Sequence, residues 1–203
     1  MRFRTVALCV PLVLSVSIAD AGTIANTRYE YYWISGKTLV DVYDSMLRRG
    51  PHVDGAKAYA STSATSSQEG KLVGKNNCRI EDYRLKIDFV IRLPKIKDET
   101  KLASTERARF QRFSQFLKKH EETHRSIWLD CAAKLEAKVA KISSKSCKDA
   151  ETRSENLWSE MRRSCNQRHQ AFDTAEQKRL LQHPFLRYVL TKKSKDTRAA
   201  VAP

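Results

Sequence analysis

The chain contains no Cys-x-x-Cys pair, which excludes the paired thiolates of a cysteine-ligated zinc module. Beyond residue 18 it has no apolar run long enough to cross a bilayer, which excludes a membrane span in the body of the chain. Acidic residues are scarce: 23 Asp and Glu stand against 38 Lys and Arg in 203 residues, a net charge of +15. Such a protein favours anionic surroundings, such as cell-envelope polymers or acidic substrates. No nucleic-acid recognition motif accompanies the charge, so no nucleic-acid partner is expected.

What the chain does have begins at its start. Arg2 and Arg4 precede an apolar stretch, Val6 to Ile18, interrupted by Pro11 and two serines. Ala19-Asp20-Ala21 then gives a small-x-small site before Gly22. This pattern predicts a secretory signal peptide over residues 1–21, too short for a membrane anchor. Its removal takes away Arg2, Arg4 and Asp20 and leaves a charge of +14. The mature protein is expected to be a single exported domain, residues 22–188, in the periplasm or outside the cell. Cys9 leaves with the leader. Cys78, Cys131, Cys147 and Cys165 remain, and four cysteines in an oxidising compartment predict two disulfides among three connectivities.

Residues 29–94 read as β-rich. Tyr29 to Ile34 is an aromatic strand, and Lys37 to Leu47 a short helix closed by Arg49-Gly50-Pro51. Ala56 to Ser66, small and rich in Ser and Thr, suits an edge or hairpin strand, with turn residues following from Leu72 to Asn77. Tyr83, Leu85, Ile87, Phe89 and Ile91 alternate with Arg84, Lys86 and Asp88, the mark of a half-buried strand that Leu93-Pro94 should stop. Together these predict a small antiparallel sheet.

From about residue 103 the period changes. Phe110, Phe113, Leu117, His120, His124, Ile127, Cys131 and Leu135 form one helical stripe. Ser143 to Ser146 breaks the helix. A second stripe follows: Leu157, Met161, Cys165, His169, Phe172 and Glu176. The short break predicts an antiparallel helix hairpin over residues 103–181, and hence an α+β fold. In such a hairpin facing residues have a nearly constant index sum. A turn at 148 sets Cys131 against Cys165, His124 against Phe172 and His120 against Glu176. Residues 189–203 are polar, basic and aperiodic, and predict a flexible tail.

Residues 120–124 read His-Glu-Glu-Thr-His within the first stripe. With five histidines in the chain, an HExxH is rarely accidental. On a helix, positions i and i+4 share a face. Both imidazoles can therefore hold one zinc ion, each at roughly 2.0–2.1 Å. Glu121, about 100° round the helix from His120, can then act as general base towards a water activated by the ion. Zinc needs a third protein ligand, and the hairpin register carries His169, Asp173 and Glu176 to its level. His169 and Glu176 hold the better stripe positions; whichever of the three does not ligate can orient a ligand.

These features together resemble a bacterial family of predicted secreted zinc-dependent proteases, domain of unknown function nine-two-two. The resemblance runs roughly from Tyr29 to Lys178. It is carried by Tyr31-Tyr32-Trp33-Ile34-Ser35-Gly36, the Arg49-Gly50-Pro51 turn, Cys78-Arg79-Ile80, Leu93-Pro94, the HEETH helix, Cys147 and Phe172-Asp173. It implies a metallopeptidase-like site with Zn2+ as cofactor and Asp173 as third ligand. It also departs from the family: Glu176 stands where the family pattern has Thr, and Lys178 where it has His. Cys78–Cys147 pairs by elimination once Cys131–Cys165 is set by the hairpin, and both positions fall within the resemblance. The expected activity is hydrolysis of a peptide or protein substrate by a zincin-like site; the competing expectation is a non-catalytic envelope protein. Mass spectrometry of protein secreted by the native host should find Gly22 as the first residue; an intact Met1 start would contradict the leader assignment.

Overall fold

The computed structural model describes residues 22–53 and 55–201. The proposed leader, 1–21, and the last two residues lie outside that range. Within it the chain is α+β, a mixed sheet followed by long helices. Strand β1 is Ile24–Ile34. Helix α1, Leu39–Arg49, follows and starts from a capping box: Thr38 Oγ1 accepts from the Asp41 N–H at 3.2 Å, and Asp41 Oδ2 accepts from the Thr38 N–H at 3.0 Å. A small hairpin, β2 (His52–Val53) and β3 (Ala56–Lys57), leads into β4, Ser61–Val73, and β5, Cys78–Ile96.

The sheet order is β1-β5-β4, with β6 (Ser143–Ser144) pairing the start of β5. The expected antiparallel pair is β4 with β5. The other edge differs: β1 runs parallel to β5, with Tyr29 beside Ile91. Parallel neighbours need a long crossover, and here α1 and the β2–β4 segment supply it. β5 also runs through Pro94 to Ile96 rather than stopping at Leu93-Pro94. Its pairing with β4 ends at Arg92, so beyond that point β5 has a neighbour on one side only and the missing Pro94 N–H can face the open side.

Along the middle of β5 the odd residues from Tyr83 to Leu93, among them Leu85, Ile87, Phe89 and Ile91, are buried on the side of α2, Ser104–Val139. The second long helix, α3, is Cys147–Gln182, and Ser146 caps it by accepting from the Asp149 N–H. Both sequence-predicted disulfides are present. Cys131–Cys165 joins α2 to α3 with Cα atoms 6.0 Å apart, and Cys78–Cys147 ties the start of β5 to the start of α3 at 5.0 Å.

The expected flexible tail is corrected. Pro184–Val201 is helix α4, and Phe185, Leu186 and Val189 on it are fully buried. Lys193 reaches Asp44 of α1 at 2.7 Å. The sequence conceals this because only one narrow side of α4 is apolar, and that side is completed by α1 and α2 rather than by α4 itself.

Two apolar clusters divide the interior. One gathers Leu39, Val42, Met46, Ile91, Phe110, Phe113 and Phe185 around α1, α4 and the first half of α2. The other gathers Leu85, Ile87, Phe89, Ile127, Leu135 and Met161 around the second half of α2 and α3. Residues 120–124 fall between the two, so the polar site interrupts the apolar stripe of α2. Phe113 anchors the first cluster, stacked on Phe185 with centroids 4.5 Å apart and edge-on to Tyr59 at 5.8 Å. Replacing it with Ala should remove about 3–5 kcal/mol in urea unfolding; a loss below about 1 kcal/mol would contradict this core assignment.

Candidate metal centre and active site

Helical periodicity brings His120 and His124 to the same side of α2, facing α3. Their rings lie 4.8 Å apart, centroid to centroid, and both pack on Phe172 of α3, at 4.8 and 5.1 Å. One turn of α3 is enough to add Asp173. Its Oδ1 lies 3.2 Å from His120 Nε2 and 3.0 Å from His124 Nε2, and the two Nε2 atoms are 3.1 Å apart.

Three ligand atoms thus form a nearly equilateral triangle. Ligands at roughly 2.0–2.1 Å from one tetrahedral ion would stand about 3.4 Å apart. The observed spacing is slightly tighter and suits a single metal ion bound over the triangle. Asp173 Oδ1 accepts from whichever ring carries its hydrogen on Nε2, and a cation at the centre would be held by the Nε2 lone pairs of both rings and by the same carboxylate oxygen. His120, His124 and Asp173 are the group of His, Cys, Asp and Glu residues able to hold a metal ion among the described residues.

The remaining sequence candidates fall into other roles. His169 does not join the triangle. Its Nδ1 lies 2.9 Å from His124 Nδ1, on the far side of that ring, and its Nε2 lies 3.7 Å from Cys165 Sγ. For His124 to offer its Nε2 lone pair to a metal, its Nδ1 must carry the hydrogen and donate to His169 Nδ1. The His169 hydrogen then sits on Nε2, pointing at the disulfide sulfur. His169 so fixes the His124 tautomer, the task a carboxylate often performs for a metal-bound histidine. Burial pushes the His169 imidazole down to about 4, with the neighbouring His124 adding to the effect, so this ring stays neutral. Burial also lowers the pKa of His120 and His124, against the opposing pull of Asp173. Glu176 lines the same cleft but accepts from Arg179 at 2.6 Å and stands outside the triangle, which leaves Asp173 as the α3 carboxylate in contact with both histidines.

Glu121 is the buried carboxylate of the site, 5% exposed. Burial raises its pKa to about 7; the hydrogen bond from Thr62 opposes the shift and the Asp173 charge adds to it. Thr62 Oγ1 reaches both Glu121 Oε2, at 2.8 Å, and the Glu121 carbonyl, at 3.0 Å, joining β4 to α2 at the site. Sequence reasoning missed Thr62. It lies 59 residues upstream in a strand of small polar residues, and no local signal singles it out.

Glu121, His120 and Asp173 line one end of a cleft of ≈ 540 Å³ between α3 and the β2–β3 hairpin. Its other lining includes Ala58, Ala60, Phe116, Leu117 and Leu180.

An α+β fold with an HExxH helix, and a second helix answering it with an Asp, defines the class of chain. The chain belongs to the bacterial family of proteins of unknown function DUF922, whose family model matches residues 29–180. No curated protein and no solved structure matches it.

Metal titration tests the geometry. His120→Ala or His124→Ala should abolish stoichiometric binding of a divalent metal, because each leaves two ligands. His169→Phe should keep the site and weaken it by about 10–100-fold. A His169→Phe loss as complete as that of His124→Ala would make His169 a ligand instead.

Proposed function

We propose that the protein is an exported zinc-dependent metallopeptidase. The observation that carries the reading is the convergence of two imidazole nitrogens and one carboxylate oxygen beside the buried Glu121, at the end of an open cleft. Two nitrogens and one oxygen are the donor set of a catalytic zinc site, in which three protein ligands leave a fourth position for water or substrate.

Zinc held by His120, His124 and Asp173 would supply Lewis acidity, lowering the pKa of water towards about 7 and polarising a carbonyl. The chain's own groups do the rest. Thr62 holds Oε2 of Glu121, so the free oxygen takes the proton of the attacking water and returns it to the leaving amine. Burial keeps that carboxylate in a range from which it both accepts and donates a proton near neutrality. His169 keeps the Nε2 lone pair of His124 turned towards the ligand triangle. Phe116, Leu117 and Leu180 form an apolar floor beside His120 and Glu121, fitted to an apolar side chain next to the bond cleaved.

Export rests on the leader pattern and on two disulfides, which persist in oxidising compartments. Among the described residues no helix is long and apolar enough to cross a membrane.

The test separates binding from turnover. Glu121→Gln should retain full zinc stoichiometry while peptide hydrolysis by the reconstituted protein falls by about 10²–10⁴-fold. Hydrolysis unchanged in Glu121→Gln would remove the general-base assignment. Zinc-loaded wild type that cleaves nothing in a broad peptide library would replace the peptidase reading with that of a non-catalytic metal-binding envelope protein.

A further inference from the structure

β1 is an edge of the sheet, on the side away from the cleft and from β4. Tyr29, Tyr31 and Trp33 alternate along it and so point to one face. They are not covered: Tyr31 and Trp33 are each 51% exposed and Tyr29 38%. An isolated exposed aromatic needs no explanation, but three in a row on one strand face form a continuous apolar platform. From Tyr29 to Trp33 it runs for about 13 Å.

The platform is set among organised cations. The Lys95 ammonium lies 5.3 Å from the ring centroids of both Tyr31 and Trp33, and that of Lys118 lies 5.2 Å from Tyr29. At the far end Trp33 opens into a cavity of ≈ 520 Å³ that it lines with Ile34, Ser35, Arg49 and Lys97. Among the described residues, Lys95, Lys97 and Arg49 have no carboxylate within ion-pair distance. Among the described residues, the acidic group engaged with the stripe is Glu122, taken up by the Tyr29 hydroxyl at 2.7 Å and by Lys118 at 3.6 Å. The Tyr31 hydroxyl and the Trp33 indole N–H have no protein partner among the described residues.

Flat rings with free polar rims, interleaved with unpaired cations, are complementary to one chemistry in particular. A sugar ring lays its C–H face on an aromatic plane and offers hydroxyls to the rim, and a sugar carboxylate pairs with Lys or Arg. We propose that the β1 stripe, with the cavity at its end, binds an acidic polysaccharide. The sugar rings stack on Tyr31 and Trp33, and the carboxylates are held by Lys95, Lys97 and Arg49. Because Lys95 is already placed over two rings, less side-chain freedom is lost on binding than at an ordinary surface lysine. The site does not depend on the metal centre, and it gives the chain's net charge of +15 a specific place to act.

Calorimetric titration of the full mature protein with hyaluronan and alginate oligosaccharides tests the assignment. Dextran serves as the neutral glycan and a ten-residue oligothymidylate as the nucleic-acid competitor. Acidic oligosaccharides should bind and dextran should not. Tyr31→Ala and Trp33→Ala should each weaken binding by about tenfold or more. The pair Arg49→Gln and Lys97→Gln should weaken it and flatten its salt dependence. Lys192→Gln with Lys195→Gln, which removes the same charge from exposed positions on α4, should change little. These residues are at the surface, so circular dichroism should report an unchanged fold in every variant. Equal losses from the α4 pair would reduce the effect to diffuse charge and overturn the proposal. So would tighter binding of the oligothymidylate than of either acidic glycan, or no binding of the acidic glycans.

Discussion

The register between α2 and α3 is the constraint on which the site depends. Each helix is 36 residues long, and the Cys131–Cys165 bridge fixes how they face each other. About two helical turns from that bridge on each helix lie His124 and Asp173. Two rigid helices carry a register over that distance with little play. A slip of one residue on α3 would turn its side chains by about 100° and carry the Asp173 carboxylate off the histidines. The second bridge, Cys78–Cys147, pins the start of α3 to the sheet. The sheet in turn fixes Thr62 against Glu121. The His120–His124–Asp173 triangle and Glu121 are thus referred to one frame, as the proposed chemistry would require.

The same arrangement sets two largely enclosed histidines and a carboxylate side by side. Two Nε2 atoms and one carboxylate oxygen meet within 3.2 Å, next to a carboxylate that burial disfavours as an anion. Its surroundings hold the cluster in place together with its own contacts. Phe172 braces both histidine rings, His169 bonds the outer nitrogen of His124, and the apolar clusters on either side clamp α2 in place. This is the pattern of a site prepared for a cation, in which bound metal would add stability to the folded state by mass action.

Much of this was legible in the sequence. The helical stripes, the hairpin break and the constant index sum place Cys131 against Cys165 and His124 against Phe172, because straight antiparallel helices leave little geometric freedom. The same reasoning carried Asp173, His169 and Glu176 only to the right level. Choosing among them depends on side-chain reach and on what each already bonds: Arg179 for Glu176, the far side of His124 for His169. The parallel β1–β5 pairing was not legible, since alternation marks a strand and not its direction. Helix α4 was not, because its narrow apolar side gains meaning only against α1 and α2. Thr62 was not, because its role exists only across the gap between β4 and α2.

In the proposed site His120, His124 and Asp173 bind one zinc ion and leave one position open. X-ray absorption at the zinc edge of the reconstituted, untagged protein tests it most directly. The expected result is one ion per chain with two imidazole nitrogens and two oxygens at about 2.0 Å, one oxygen being exchangeable solvent. Sulfur at about 2.3 Å, or an all-oxygen shell of adventitious metal, would contradict it.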